Sequence, residues 1–371
     1  MIDPIKILQR AWHILWNYRT LWVFGLVLAL AAGGSSFNNG GNNGVQWRED
    51  NQTYEGPSFQ NVQEALDYFS RELNRLFTQG IPEANITGPA LTAFLWTVGV
   101  FIVFMFLVGI VVTIAYYVSV NAVIRMVNEY ENTGTKMTVR EGFRIGWSRT
   151  AWRLFLINLI GNLPAILFFL ALLIAGVSFF MSAVNSNADF TPASLVGIFS
   201  LVFLGCAIVV IWSIGFGLLR PFFWRVCVFE DAGVGESFRR GFAMVRENWK
   251  SVGLMWLVMI GLGIAWIVVS ILAVIVTIPI VILTAIVAGL VVVLPGMLLV
   301  GLFSLFLTGP LPWIAAGLFL LPLFFLIAFS PWLLLGSWQS VFTSAVWTLT
   351  YRELKALPAI APQTEVVPVG D

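Results

Sequence analysis

From Ser251 to Tyr351 the chain contains no aspartate, glutamate, lysine, arginine or histidine, a run of 101 residues. The stretches 91–124, 154–188 and 190–219 lack them too. Carriers coupled to protons or ions, and voltage sensors, keep ionisable side chains at membrane depth because function repays the cost of burying them. Their absence argues against both classes. A facilitator that coordinates a solute with backbone carbonyls at broken helices stays open. The lone histidine, His13, removes most zinc and imidazole chemistry. The two cysteines, Cys206 and Cys227, are well separated, one in an apolar segment and one just after it, and read as small hydrophobes. No phosphate-binding glycine loop, HExxH or GxSxG occurs. We therefore expect no enzymatic activity, and assign no catalytic, cofactor-binding or metal-binding residue. Charge is scarce throughout: 11% of the 371 residues, against about 25% in soluble domains, with 59% hydrophobic and mean hydropathy +0.89. The class is a polytopic membrane protein. A net charge of +1 gives no argument for nucleic acid.

Present instead is a recurring polar stretch. Thr138 to Arg153 and Gly233 to Lys250 align without a gap at a shift of 95 residues, so that Val139, Glu141, Phe143, Arg144 and Gly146 meet Val234, Glu236, Phe238, Arg239 and Gly241. Trp147 meets Phe242, and each stretch reaches an aromatic–basic pair, Trp152-Arg153 or Trp249-Lys250, before a long apolar segment. Asp3, Leu8, Ala11 and Trp12 occupy the same relative places at the N-terminus. Such self-similarity indicates one structural unit built several times. Each copy opens like a helix: Asp3 before Pro4, Thr138 with Glu141 as a capping box, and Gly233 with Glu236 at the third position. Aromatic residues on one face and arginines on the flanks suit a helix lying among anionic headgroups. The candidate binding residues for lipid or a partner are Arg140, Arg144, Arg149, Arg153, Arg239, Arg240, Arg246 and Lys250. The acidic residues nearby (Glu129, Glu131, Glu141, Glu230, Asp231, Glu236, Glu247) have two readings, a divalent ion held between units or helix caps and arginine pairs.

The fold expected is all-α, a transmembrane bundle of about six spans in three repeated hairpins, with amphipathic helices at the interface. The first unit covers 1–131 and holds a polar insertion at 34–90; the second covers 132–231; the third covers 232–355; and 356–371 form a flexible tail. Ala29 and Ala31 resemble a leader-cleavage site, but the Trp-rich flank belongs to the repeat, and we read the segment as retained. Within the insertion, Phe59, Val62, Leu66, Phe69, Leu73 and Phe77 have helical spacing; the segment reads as a solvated insertion or as a helix that docks a partner. In the third unit a first span is expected to end near Pro279 and a last to cover about Leu311 to Leu335. Between them, 281–307 is expected to be re-entrant or interfacial, broken at Pro295-Gly296.

Seventeen of the 20 lysines and arginines fall in four stretches: the N-terminal helix, the two loops 125–153 and 220–250, and the C-terminal exit. Positive charge marks the cytoplasmic side, which puts both termini there. The unit around Glu141-Gly142-Phe143-Arg144 and Glu236-Ser237-Phe238-Arg239 resembles bacterial polytopic proteins of the glycerophosphodiester phosphodiesterase membrane-domain type. That resemblance implies the architecture and a bacterial inner membrane; the hydrolase part, which needs carboxylates and several histidines, is absent. The function expected is a non-enzymatic envelope accessory protein that binds anionic lipid, or a membrane or cytoplasmic protein partner, through its basic helices. The alternative is a carrier or channel for an uncharged or amphipathic solute, with its path near Pro279 to Pro310.

Overall fold

The computed structural model describes residues 2–36, 88–185 and 192–360, together with Arg71 and Arg75. The insertion helix expected at 59–78, the outer loop around Asp189 and the tail from 361 lie outside the described residues. What is described is helical: α1 (Pro4–Asn17), α2 (Thr20–Ser36), α3 (Gly88–Thr133), α4 (Val139–Gly146), α5 (Arg149–Asn185), α6 (Pro192–Phe229), α7 (Val234–Glu247), α8 (Trp249–Phe303), α9 (Leu311–Ala328) and α10 (Ser330–Ile360). Five of these, α3, α5, α6, α8 and α9, contain stretches long and apolar enough to cross a membrane, and the pair α1 and α2 makes up to a sixth. An apolar solvent leaves a spanning backbone no partner but itself, which is why long unbroken helices dominate. The fold is an all-α, multi-pass bundle.

Three helices are short and amphipathic, and their ends follow from local chemistry. Asp3 accepts from the amides of Ile5 and Lys6 at the start of α1. Thr138 and Glu141 form the reciprocal capping box that starts α4. Gly233 precedes α7 without a side-chain cap. Between α1 and α2 the chain turns by 101°, so α1 lies across the axis of the helix it feeds.

Each of the three docks on the final turns of a long helix. α4 packs on α3, α7 on α6, and α1 on α10. Ala11, Gly146 and Gly241, one from each, are buried at those contacts, as are Ile7, Gly142 and Ser237. The approach is close. A Cβ on Gly146 would stand 2.6 Å from the Val118 carbonyl oxygen, and one on Gly25, where α2 meets α10, would stand 2.5 Å from Ser337 Oγ. Small residues let helix backbones approach where lipid supplies no hydrophobic drive for association.

The main core lies at the end of the bundle where these short helices sit. It joins Ile7, Ile14 and Leu15 of α1 with Ala122 to Val127 of α3, Phe222 to Val228 of α6, and Val341, Val346, Leu349 and Tyr351 of α10. Trp16, Trp22 and Trp338 pack edge to face or tilted at 5.3–5.7 Å, holding the α1–α2 elbow against α10. Away from this end the apolar stretches of α3, α5, α6 and α8 are almost wholly exposed, the usual state of lipid-facing helices. A smaller cluster closes the far end: Ala90 of α3 meets Phe303, Leu307, Leu311 and Ala315 around the α8–α9 turn.

The third unit departs from expectation. α8 is continuous through Pro279 and Pro295, and the break expected at Pro295-Gly296 is absent. The reversal comes later, at Ser304 to Pro310, where Gly309 adopts φ 66°. A proline deletes one amide donor, but ending a helix in hydrocarbon strips several groups of partners, so the helix continues. Neighbours support this stretch: Trp332 Nε1 donates to Thr277 Oγ1 at 3.0 Å, and Thr284 Oγ1 donates to the Ala328 carbonyl at 2.7 Å. At the other end α10 runs to Ile360, past residue 356, where the tail was expected to begin.

Gly146→Ala should force α4 off α3 and cost about 1–3 kcal/mol. Gly109→Ala, whose Cβ would meet nothing within 4 Å, should cost nothing. Thermal unfolding of the two variants in detergent tests this; equal midpoints would show that the close approach at Gly146 contributes nothing.

Candidate functional site

The candidate site is built from α4, α7 and the loops before and after them. α1, both of these loops and the C-terminal part of α10 gather at one end, and polar contacts stitch them together. Arg10 of α1 pairs with Glu353 of α10 at 2.9 Å and also with Glu131. Glu230, just after α6, receives Arg240 at 2.8 Å, Lys355 at 2.9 Å and the Tyr351 hydroxyl at 3.0 Å. Arg352 donates to the Asn128 carbonyl at 3.1 Å, and buried Arg225 donates to the Ser344 carbonyl at 2.9 Å. Asn121 donates at 2.9 Å both to the Gly146 carbonyl and to Ser148 Oγ, which fixes the α4–α5 joint. Asp231 adopts φ 49°, and Arg153 donates to both its carbonyl and its carboxylate.

The acidic residues follow the second of their two readings at most positions. Glu131, Glu230, Asp231 and Glu236 are in ion pairs with basic side chains. Glu141 is engaged by Thr138, whose amide and hydroxyl hold its carboxyl below the usual carboxylate range.

The basic candidates divide into two groups. Arg153 is tied to Asp231, Arg239 to Glu236 at 3.1 Å, and Arg240 to both Glu236 and Glu230 at 2.8 Å. These three hold the protein together. Arg140, Arg144, Arg149 and Arg246 are exposed and make no ion pair among the described residues. Lys250 is exposed too and lies 5.9 Å from the Trp249 ring centre. Beside them stand aromatic side chains that are more than half exposed: Trp12, Trp147, Trp152, Phe242 and Trp249. Two concavities adjoin this belt. One, of about 1050 Å³, runs along α3 and α5 and reaches Arg149; the other, of about 480 Å³, lies on α7 by Arg239, Phe242, Arg246 and Glu247.

Residues 9–344 match a family of unknown function, DUF7544. The chain belongs to that family. No curated protein and no solved structure matches it. The family match carries no link to glycerophosphodiester phosphodiesterase membrane domains.

Sequence reasoning did not reach the Glu230 cluster as a junction. In the sequence Glu230 is one of several acidic residues near the short helices, and its partner Lys355 lies 125 residues away. The groove beside Arg149 left no sequence signal either, since an apolar face on a span is ordinary.

Burial alone would raise the Glu230 carboxyl pKa. Hydrogen bonds from Lys355, Arg240 and Tyr351, with the attraction of Lys355, outweigh it and hold the group below its ordinary value of 4.5. A carboxylate depressed in the folded state contributes stability above its unfolded pKa, and that stability is lost as pH falls through the folded value. Glu230→Gln should be less stable at neutral pH by about 1–2 kcal/mol, and should lose less on acidification below pH 4.5 than the parent chain. Unfolding midpoints across pH 3–7 test this; parallel curves for the two proteins would remove Glu230 from the account.

Proposed function

We propose that this chain is a non-enzymatic accessory protein of the bacterial cytoplasmic membrane that binds anionic lipid through its basic interface helices. In this reading three repeated hairpin units cross the membrane and both termini are cytoplasmic. The observation that carries it is the division of faces on α1, α4 and α7. Each helix docks inward through a face that includes a small residue, Ala11, Gly146 or Gly241, large aromatic rings stand exposed, and on α4 and α7 arginines without ion pairs among the described residues lie on the exposed side. That is the composition of a helix seated at the headgroup level, with rings toward the acyl chains and guanidinium groups toward phosphate. The clustering of basic residues at the end where α1 and α10 meet supports the orientation through the positive-inside rule. A protein partner is the other occupant that basic helices could serve; the exposed rings flanking the arginines favour lipid. The carrier reading places its path near Pro279 to Pro310; α8 runs unbroken through Pro279 and Pro295, and the chain leaves the helix only after Phe303.

The test is mass spectrometry of protein extracted in native-lipid particles, parent against a triple variant, Arg140→Gln, Arg144→Gln and Arg246→Gln. Each cation near an anionic surface contributes about 1 kcal/mol, roughly fivefold. The variant should therefore retain its helical content and lose most of its enrichment in anionic over zwitterionic lipid. Unchanged enrichment overturns the lipid reading. A stoichiometric protein that disappears with the three arginines would establish the partner instead.

A further inference from the structure

The groove of about 1050 Å³ along α3 and α5 has a chemistry of its own. Phe106, Ile110, Ile114 and Tyr117 of α3 and Phe155 of α5 line it. Thr113 also faces it, but its hydroxyl donates to the Gly109 carbonyl at 2.7 Å and so adds no unsatisfied donor to the wall. From Phe106 to Val118 the wall covers about 18 Å at the helical rise, close to one leaflet of a hydrocarbon core about 30 Å thick. The mouth differs from the wall. Trp147 and Trp152 flank it, more than half exposed. Arg149 stands at it, exposed and without an ion pair among the described residues. Ser148 accepts from Asn121 at 2.9 Å, which leaves its own proton to donate. No acidic side chain among the described residues lines the groove.

An occupant must therefore combine a long apolar chain, one leaflet deep, with an anionic acceptor at the interface. We infer that the groove seats one anionic phospholipid of the adjoining leaflet, an acyl chain against α3 and its phosphate at Arg149 and Ser148. The inference rests on the lipid-binding reading above and gives it a defined seat. Charge complementarity selects this occupant over a neutral lipid, and the length of the apolar wall selects a chain over a free phosphate ion. The smaller concavity on α7 is not a second seat: Glu247 lines it beside Arg239 and Arg246, where it would repel a phosphate.

The experiment uses the full chain in vesicles of phosphatidylcholine carrying a minor fraction of phosphatidylglycerol with a photoreactive group in its acyl chain, and the matching phosphatidylcholine probe in parallel. Peptide mapping should place the phosphatidylglycerol label mainly between Phe106 and Phe155. Arg149→Gln should lower that label roughly fivefold, toward the phosphatidylcholine level. Gly109→Trp, which enters open space on the groove wall, should remove it while labelling elsewhere persists. Label spread evenly over the lipid-facing helices, or equal labelling by the two probes, overturns the seat. Either result can occur while the arginine-dependent enrichment in native-lipid particles stands, so failure of the seat and failure of the broader reading are told apart. Cross-links from the groove to a second copy of the chain would overturn it as well.

Discussion

Val346, Leu349 and Tyr351 lie buried on α10, and α1, α2, α3 and α6 all pack along that helix. α10, like α3, touches helices from the beginning, the middle and the end of the chain. Close approach sets this convergence first: Gly25 admits Ser337, and the Ser337 hydroxyl donates to the Trp22 carbonyl at 2.9 Å. Polar ties then fix rotation and height. Arg225, Arg352, Lys355 and Tyr351 join α10 to α6, to α3 and to Glu230. Individually the exposed ion pairs among them contribute little. They matter here because they act on helices already brought together by packing, where the cost of ordering the side chains has largely been met.

The distribution of packing has a consequence for the membrane half of the molecule. With the principal core at one end and a small cluster at the other, the apolar stretches between are held at their ends and face outward over most of their length. Helices tied in this way leave lateral openings where neighbouring spans diverge. The groove between α3 and α5 is one, and its mouth coincides with the α4–α5 joint that Asn121 holds. The position of Arg149 at that mouth follows from the same hydrogen bonds that dock α4.

Among the basic residues, sequence position and structural duty do not run together. Arg144 and Arg239 occupy matching places in the two aligned stretches, yet Arg239 pairs with Glu236 while Arg144 makes no ion pair among the described residues, and Glu141 instead caps its helix with Thr138. Of the candidate arginines, those without an ion pair among the described residues are Arg140 and Arg144 on α4, Arg149 at the start of α5 and Arg246 near the end of α7.

Local physics made much of this molecule readable from its residues. The all-α class, the amphipathic helices, the capping box and the spans each depend on neighbours within a few positions, or on a solvent that forces the backbone to bond with itself. The turn before α9 was readable as well in Gly309-Pro310, but Pro295-Gly296 drew the break instead; a proline in hydrocarbon bends a helix more readily than it ends one. Tertiary structure alone decided that α10 completes the core, that Glu230 joins cations more than 100 residues apart, and which arginines remain unpaired. These depend on distances between side chains remote in sequence, and a run of apolar residues uniform enough to cross a membrane carries almost no pattern from which such distances can be read.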